Sequence, residues 1–151
     1  LPAVQRGGTA GDCLLLFARF LEDCDDVVSY AKNYLAVHFK LDYVNRDGGI
    51  SDYYPDFLVK LPGKRVFIVE TKGQEDLDVP LKMQRLQQWC ADINRVQADV
   101  EYDFVYVDQE SFDKFKPTSF GQLIDCFKEY KEDASAGAGN VSSESSGGKQ
   151  V

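Results

Sequence analysis

The sequence predicts one α/β domain in which a mixed sheet of about four or more strands is flanked by helices on both faces. The chain has 151 residues, of which 44% are hydrophobic, and this is enough for a single domain with a buried core. Three stretches carry apolar residues at helical spacing, and four shorter stretches are rich in β-branched and aromatic residues. Their order along the chain is α, β, β, β, α, β, α.

The first helix is predicted to begin near Asp12, which is placed to cap it. Its apolar residues occupy the i, i+3, i+4 and i+7 positions: Leu14, Phe17, Ala18 and Leu21. Asp25 or Asp26 opens a predicted second short helix around residues 27–31.

Three strands follow. Residues 38–44 alternate, with Phe39, Leu41 and Tyr43 on one side, and Gly48 and Gly49 then indicate a turn. Residues 53–61 and 65–73 are predicted to form a hairpin.

Pro80 suits the first turn of the next helix because its missing N–H has no partner there. The predicted buried stripe of that helix is Leu86, Trp89, Cys90, Ile93 and Val96. A strand over residues 101–108 precedes the last helix, in which Ser119 and Gln122 have the spacing of a capping box. The inward positions of the last helix are Phe120, Leu123, Ile124 and Phe127. We expect the folded domain to span residues 11–133 and the Gly/Ser-rich residues 134–151 to form a flexible tail.

Composition narrows the class of protein. The net charge is −8 and no cluster of basic residues stands out. If the partner is a nucleic acid, we expect other parts of a larger assembly to make most of the binding contacts. A structural zinc site is not expected, because the chain has one histidine and no CxxC pair. We expect the cysteines to be free thiols in a reducing cytoplasm. The sequence shows no signal peptide and begins with Leu1, so we expect a piece of a longer polypeptide.

Three charged residues, Asp56, Glu70 and Lys72, lie in strands that otherwise suit a core, where unpaired charges are costly. Side chains alternate along a strand, so Glu70 and Lys72 share a face. Asp56 would lie opposite Glu70 if the numbers of paired hairpin residues add to 126. A two-residue Pro62-Gly63 loop would give an odd sum instead, so the hypothesis requires a longer loop or a bulge. Two carboxylates placed so close would repel, and a divalent cation between them would remove the repulsion.

This pattern favours a Mg²⁺-dependent nuclease. Mg²⁺ prefers carboxylate and carbonyl oxygens, and the backbone carbonyl of Thr71 is a candidate further ligand. Lys72 is suited to orient water or to neutralise a phosphate. Lys82 and Gln84 on the following helix are candidate DNA contacts, although a solvated helix face explains them as well.

The motifs "PDF" at residues 55–57 and "ETK" at residues 70–72 resemble those of the PD-(D/E)xK nuclease superfamily. A longer pattern, over roughly residues 13–125, resembles the C-terminal endonuclease domain of the Res subunit of type III restriction enzymes and related DEAD/DEAH helicase proteins. Its landmarks are "DDVVSYAKN", "YYPDFLVK", "VETKGQED" and "WCADIN".

The resemblance implies a restriction-endonuclease-like fold in which Asp56 and Glu70 bind Mg²⁺, or Mn²⁺ in its place, and Lys72 is catalytic. It also implies an ATP-dependent translocase region in the same longer polypeptide, a modification methyltransferase subunit as partner, DNA as substrate, and the cytoplasm of a bacterium or archaeon. The family's first helix usually adds an acid, for which Asp12 and Glu22 both remain candidates.

Two other functions stay open. One is a non-catalytic nuclease fold that serves as a docking or DNA-binding module of a helicase, which would suit the acidic charge. The other is a different nuclease of the same superfamily, such as a repair nuclease or a junction resolvase.

Overall fold

The computed structural model describes residues 10–34, 38–72 and 77–137. Its elements in chain order are α1 (Ala10–Asp23), β1 (Ser29–Lys32), β2 (Leu41–Val44), β3 (Ile50–Tyr53), β4 (Phe57–Leu61), β5 (Arg65–Lys72), α2 (Val79–Val96), β6 (Glu101–Asp108), α3 (Gln109–Phe115) and α4 (Phe120–Gly137). No helix within these residues is long and apolar enough to cross a membrane.

The central sheet has four strands in the order β1-β4-β5-β6. β4 pairs antiparallel with both β1 and β5, whereas β5 pairs parallel with β6. The parallel pair requires a long crossover, which α2 provides between β5 and β6. β2 and β3 form a separate antiparallel hairpin. The predicted mixed α/β architecture, with a central sheet flanked by helices, is therefore confirmed.

Alternation along β5 divides the core between the two faces of the sheet. Phe67 and Val69 lie in one cluster with residues of α1 and α4, whereas Ile68 lies in a second cluster with residues of α2 and the β2–β3 hairpin. Glu70 and Lys72 have the same parity as Ile68, so they belong to the face that packs against α2 and the hairpin.

The predicted short helix around residues 27–31 is wrong. Ser29–Lys32 instead forms the edge strand β1, whose backbone pairs with β4. Its side chains are mostly exposed, so the sequence carries no alternating apolar signal. Asp26 has a different role, because its carboxylate accepts hydrogen bonds from the N–H groups of Phe120 and Gly121, both at 2.9 Å, and so caps α4. Asp12 lies within the first turn of α1 rather than before it.

The strand predicted over residues 53–61 is two strands in different sheets. Pro55 lies between β3 and β4, and its lack of an N–H is incompatible with a continuous ladder. The strand predicted over residues 38–44 is shorter and begins at Leu41.

The helices also differ from the prediction in detail. The short helix α3 was not predicted from the sequence. It begins after Asp108, whose carboxylate caps it by accepting a hydrogen bond from the N–H of Ser111. Val96 was predicted to be buried, but it is 71% exposed at the last residue of α2. α4 continues to Gly137, so the first four residues of the predicted tail, 134–137, belong to this helix. The rest of the predicted tail, residues 138–151, lies outside the described residues.

Candidate metal centre

Between Phe57 and Leu61, the hairpin of β4 and β5 has the pairing sum that the metal hypothesis requires, but the pairing does not continue to Asp56. Phe57 pairs with Val69 and Leu61 pairs with Arg65, so the numbers of paired residues add to 126. A three-residue loop makes this sum possible. Two of its residues, Gly63 and Lys64, have positive φ values of 78° and 58°.

The regular ladder ends one pair before Asp56 and Glu70. The N–H of Asp56 donates to the carbonyl of Val69 at 3.0 Å, and Val69 is also the partner of Phe57. Phe57, the first residue of β4, and Asp56, the residue before it, thus both lie against Val69, as in a β-bulge. The bulge redirects the Asp56 side chain, so the two carboxylates do not form a regular cross-strand pair.

The Asp56 carboxylate is held against Thr71. Its Oδ2 accepts hydrogen bonds from the backbone N–H of Thr71 at 2.7 Å and from the Thr71 hydroxyl at 2.8 Å. Burial raises the pKa of Asp56, while the bonds from Thr71 and the charges of Lys72 and Lys32 act in the opposite direction. Asp56 is thus a half-buried acid at the end of the hairpin, with one oxygen firmly oriented.

Glu70 is the more deeply buried acid, with 6% of its surface exposed. Its Oε2 accepts a hydrogen bond from the hydroxyl of Tyr53 at 3.0 Å. Burial, and next the negative charge of Asp56, raise the pKa of Glu70 to about 8, while the Tyr53 bond and the charges of Lys82 and Lys72 lower it. The two carboxylates are therefore close enough to repel.

Lys72 lies at the end of β5, half-buried and paired in register with Asp108 of β6. It lies two residues after Glu70 on the same face of β5, and its positive charge lowers the pKa of both Asp56 and Glu70. The backbone N–H of Thr71 donates to the Asp56 carboxylate. In a β-strand, the N–H and the C=O of one residue point to the same side. The Thr71 carbonyl therefore also points to the side of β5 on which Asp56 lies. The structure thus brings the four expected residues, Asp56, Glu70, Thr71 and Lys72, to one end of the hairpin.

This donor set suits a small divalent cation. Two acidic groups in repulsion and one backbone carbonyl are hard oxygen ligands of the kind that Mg²⁺ takes, with water completing its coordination. Asp56 accepts the Thr71 bonds through Oδ2, and Glu70 accepts the Tyr53 bond through Oε2. No cluster of three or more His, Cys, Asp or Glu side chains suited to a metal occurs in this part of the chain. The expected set does not require one, because its third ligand is a carbonyl.

The two candidate DNA contacts on α2 lie in different surroundings. The Lys82 ammonium is 5.6 Å from the centre of the Tyr53 ring and 5.8 Å from that of Tyr43, on the side of Glu70. Gln84 lines a shallow groove farther along α2, together with Tyr43 and Arg85. Lys82 therefore faces the site, and Gln84 does not contribute to its electrostatics.

Neither candidate acid of the first helix contacts the two carboxylates in the described bonds. Glu22 accepts a hydrogen bond from the Tyr30 hydroxyl at 2.6 Å, and it lies ten residues, or about 15 Å along the helix, from Asp12. Cys13 of α1 lies near the site, because its thiol interacts with Thr71 and is influenced by the charge of Asp56. Its thiol donates to Oε1 of Gln109 at 2.6 Å, and its pKa is raised by burial, with a smaller contribution from the charge of Asp56.

Sequence reasoning missed Cys13, Tyr53 and Asn33 as neighbours of the site. Cys13 precedes the buried Phe17 by four residues, and this helical spacing is the one signal that pointed to its inward position. Comparison of the chain with protein-family models, with curated proteins and with solved structures found no match in any of the three.

Proposed function

We propose that this chain is a Mg²⁺-dependent DNA endonuclease domain of the kind found in the Res subunit of type III restriction enzymes. The observation that carries the proposal is the pair of carboxylates, half-buried Asp56 and buried Glu70, placed beside Lys72 at one end of a hairpin. Two acids that repel each other in a partly buried place do not stabilise the fold, because burying an unpaired charge costs on the order of several kcal/mol. A structural role therefore does not explain them.

The side chains have distinct roles in the proposed reaction. A bound Mg²⁺ would lower the pKa of a water molecule and offset negative charge on the phosphodiester. Asp56 and Glu70 would hold it, and Thr71 would fix Asp56 through its N–H and hydroxyl. Lys72, the cation beside both acids, would orient the attacking water or neutralise the phosphate. Tyr53 would keep the Glu70 carboxylate in a single orientation.

The acidic net charge of −8 is compatible with a domain that relies on other parts of its protein to hold DNA. We therefore include in the proposal an ATP-dependent translocase region in the same longer polypeptide, a modification methyltransferase subunit and a cytoplasmic location. Lys82 would contact the DNA backbone near the scissile phosphate.

A plasmid assay tests the proposal directly. The purified chain is incubated with supercoiled DNA in Mg²⁺ or in EDTA, beside a Glu70→Ala, Lys72→Ala double variant purified in the same way. We expect nicked and linear products from the parent chain in Mg²⁺ alone. Equal product from the parent chain and the double variant in Mg²⁺ would contradict the proposal.

The net charge also favours one alternative, a non-catalytic docking module. In that case the chain would bind a partner polypeptide or DNA equally well with and without Mg²⁺ and would leave the DNA intact. The same assay, extended by a binding measurement, separates the two functions.

A further inference from the structure

Asn33 lies directly after the edge strand β1 and is 8% exposed. Its backbone N–H donates to the carbonyl of Asp56 at 2.7 Å. Its side-chain Nδ2 donates to the carbonyl of Pro55 at 2.9 Å and to that of Phe39 at 2.8 Å. One residue therefore binds the two successive carbonyls that flank the start of the bulge.

These contacts fix the orientation of the Asn33 amide. Both partners of the side chain are carbonyl oxygens, which accept hydrogen bonds, so the NH₂ group must face them. The opposite end, Oδ1, is the one buried side-chain oxygen or nitrogen without a hydrogen-bond partner in the described part of the chain. An unsatisfied buried carbonyl destabilises the fold, so stability alone gives little reason for an amide here. What the amide does provide is two donors for the backbone.

The backbone of Asp56 is thus held from both sides. Asn33 binds its carbonyl, and β5 accepts a hydrogen bond from its N–H through the carbonyl of Val69. Pro55, the residue before Asp56, has limited backbone rotation because its ring fixes its own φ. With the backbone held in this way, the Asp56 carboxylate meets the N–H of Thr71.

We infer that Asn33 is a positioning residue, which holds the Pro55–Asp56 backbone so that the Asp56 carboxylate is oriented to bind a divalent cation. Its importance for cleavage rests on the proposed nuclease function, but its effect on Asp56 does not. Asn33 acts through Asp56 and does not itself contact the cation or the DNA.

Two substitutions separate this role from simple stabilisation. Asn33→Ala removes both side-chain donors, and Asn33→Asp keeps the shape but places oxygen against two carbonyl oxygens. The matched control is Asn45→Ala, because Asn45 also makes side-chain bonds, to Ser51, Asp47 and Gly49, which hold the turn between β2 and β3.

The first readout is the backbone amide proton of Thr71, observed by NMR without metal or DNA. Its short bond to a carboxylate should shift it downfield in the parent chain, and both Asn33 variants should move it upfield. The second readout is Mg²⁺ affinity by calorimetry, which should fall about 10- to 100-fold, as for loss of groups that orient metal ligands. Asn45→Ala should change neither.

Each outcome decides the question. A Thr71 amide shift and a Mg²⁺ affinity equal to those of the parent chain in Asn33→Ala would overturn the proposal, even if the variant melts at a lower temperature. Failure of both Asn33 variants to fold would also overturn it, because stabilisation would then be the dominant role. A displaced Thr71 amide in a chain that cleaves no DNA would support the positioning role and reject the nuclease function.

Discussion

Lys72→Ala should lower the rate of DNA cleavage by roughly 10²- to 10⁴-fold, which is the usual contribution of a positioned acid–base group. The charge of Lys72 acts on both carboxylates, so its loss removes the group that we propose to serve water and phosphate. Mg²⁺ binding should persist, because Asp56, Glu70 and the Thr71 carbonyl are unchanged and a neighbouring positive charge is removed. Single-turnover cleavage and Mg²⁺ calorimetry measure the two effects separately.

Lys60→Ala is the matched control, since Lys60 is an exposed lysine in β4 of the same hairpin. It should cleave DNA at a rate close to that of the parent chain. Joint loss of cleavage and of Mg²⁺ binding in Lys72→Ala would show that Lys72 organises the site rather than serving the reaction. A parental rate in Lys72→Ala would remove it from the mechanism.

Glu70→Gln should stabilise the metal-free chain increasingly as the pH rises from 4.5 to about 8. The pKa of Glu70 is raised from 4.5 to about 8 by burial and by the charge of Asp56. Between these two values the unfolded chain has released a proton that the folded chain still holds, so the stability of the parent chain falls as pH rises through this window. Glutamine carries no charge, so we expect a gain of about 1 to 3 kcal/mol at pH 8 and little difference below pH 4.5.

Urea unfolding of the metal-free chain at several pH values measures this effect. Glu101→Gln is the control, because Glu101 is an exposed glutamate at the first residue of β6. The free energy of unfolding of Glu101→Gln should depend on pH in the same way as that of the parent chain. Glu70→Gln would contradict the account if it were less stable than the parent chain at pH 8, because the ionised carboxylate would then be stabilising.

The hairpin at the centre of the site was predictable from the sequence. Apolar residues alternate along β4 and run almost continuously along β5. The charges of Asp56, Glu70 and Lys72 stand out at one end of this hairpin, where the pairing of the two strands brings them near each other. The sequence could not show where the regular ladder ends. That depends on the backbone bond of Asp56 to Val69, which the tertiary fold sets, and on Pro55 before it.

β1 was beyond sequence reasoning for a similar reason. Its four residues, Ser29–Lys32, are mostly exposed, and backbone pairing with β4 is what makes them a strand. Asn33 follows β1, so its approach to Pro55 and Asp56 depends on this tertiary pairing. Tyr53 likewise reaches Glu70 only because β3 belongs to a separate hairpin that packs over the α2 face of the sheet.

The central claim is that Asp56 and Glu70 share a divalent cation, and thermal unfolding of Asp56→Asn across a Mg²⁺ titration tests it most directly. The asparagine Oδ1 can still accept the Thr71 N–H, and loss of the negative charge relieves the repulsion with Glu70, so the metal-free variant should melt at or above the temperature of the parent chain. Asp52→Asn, at an exposed aspartate paired with Lys40, is the control. We predict that Mg²⁺ raises the melting temperature of the parent chain and of Asp52→Asn, as binding to the folded state must, but not that of Asp56→Asn. An undiminished Mg²⁺-induced rise in Asp56→Asn, or its unfolding without metal, would show that Asp56 is a structural residue and would contradict the account.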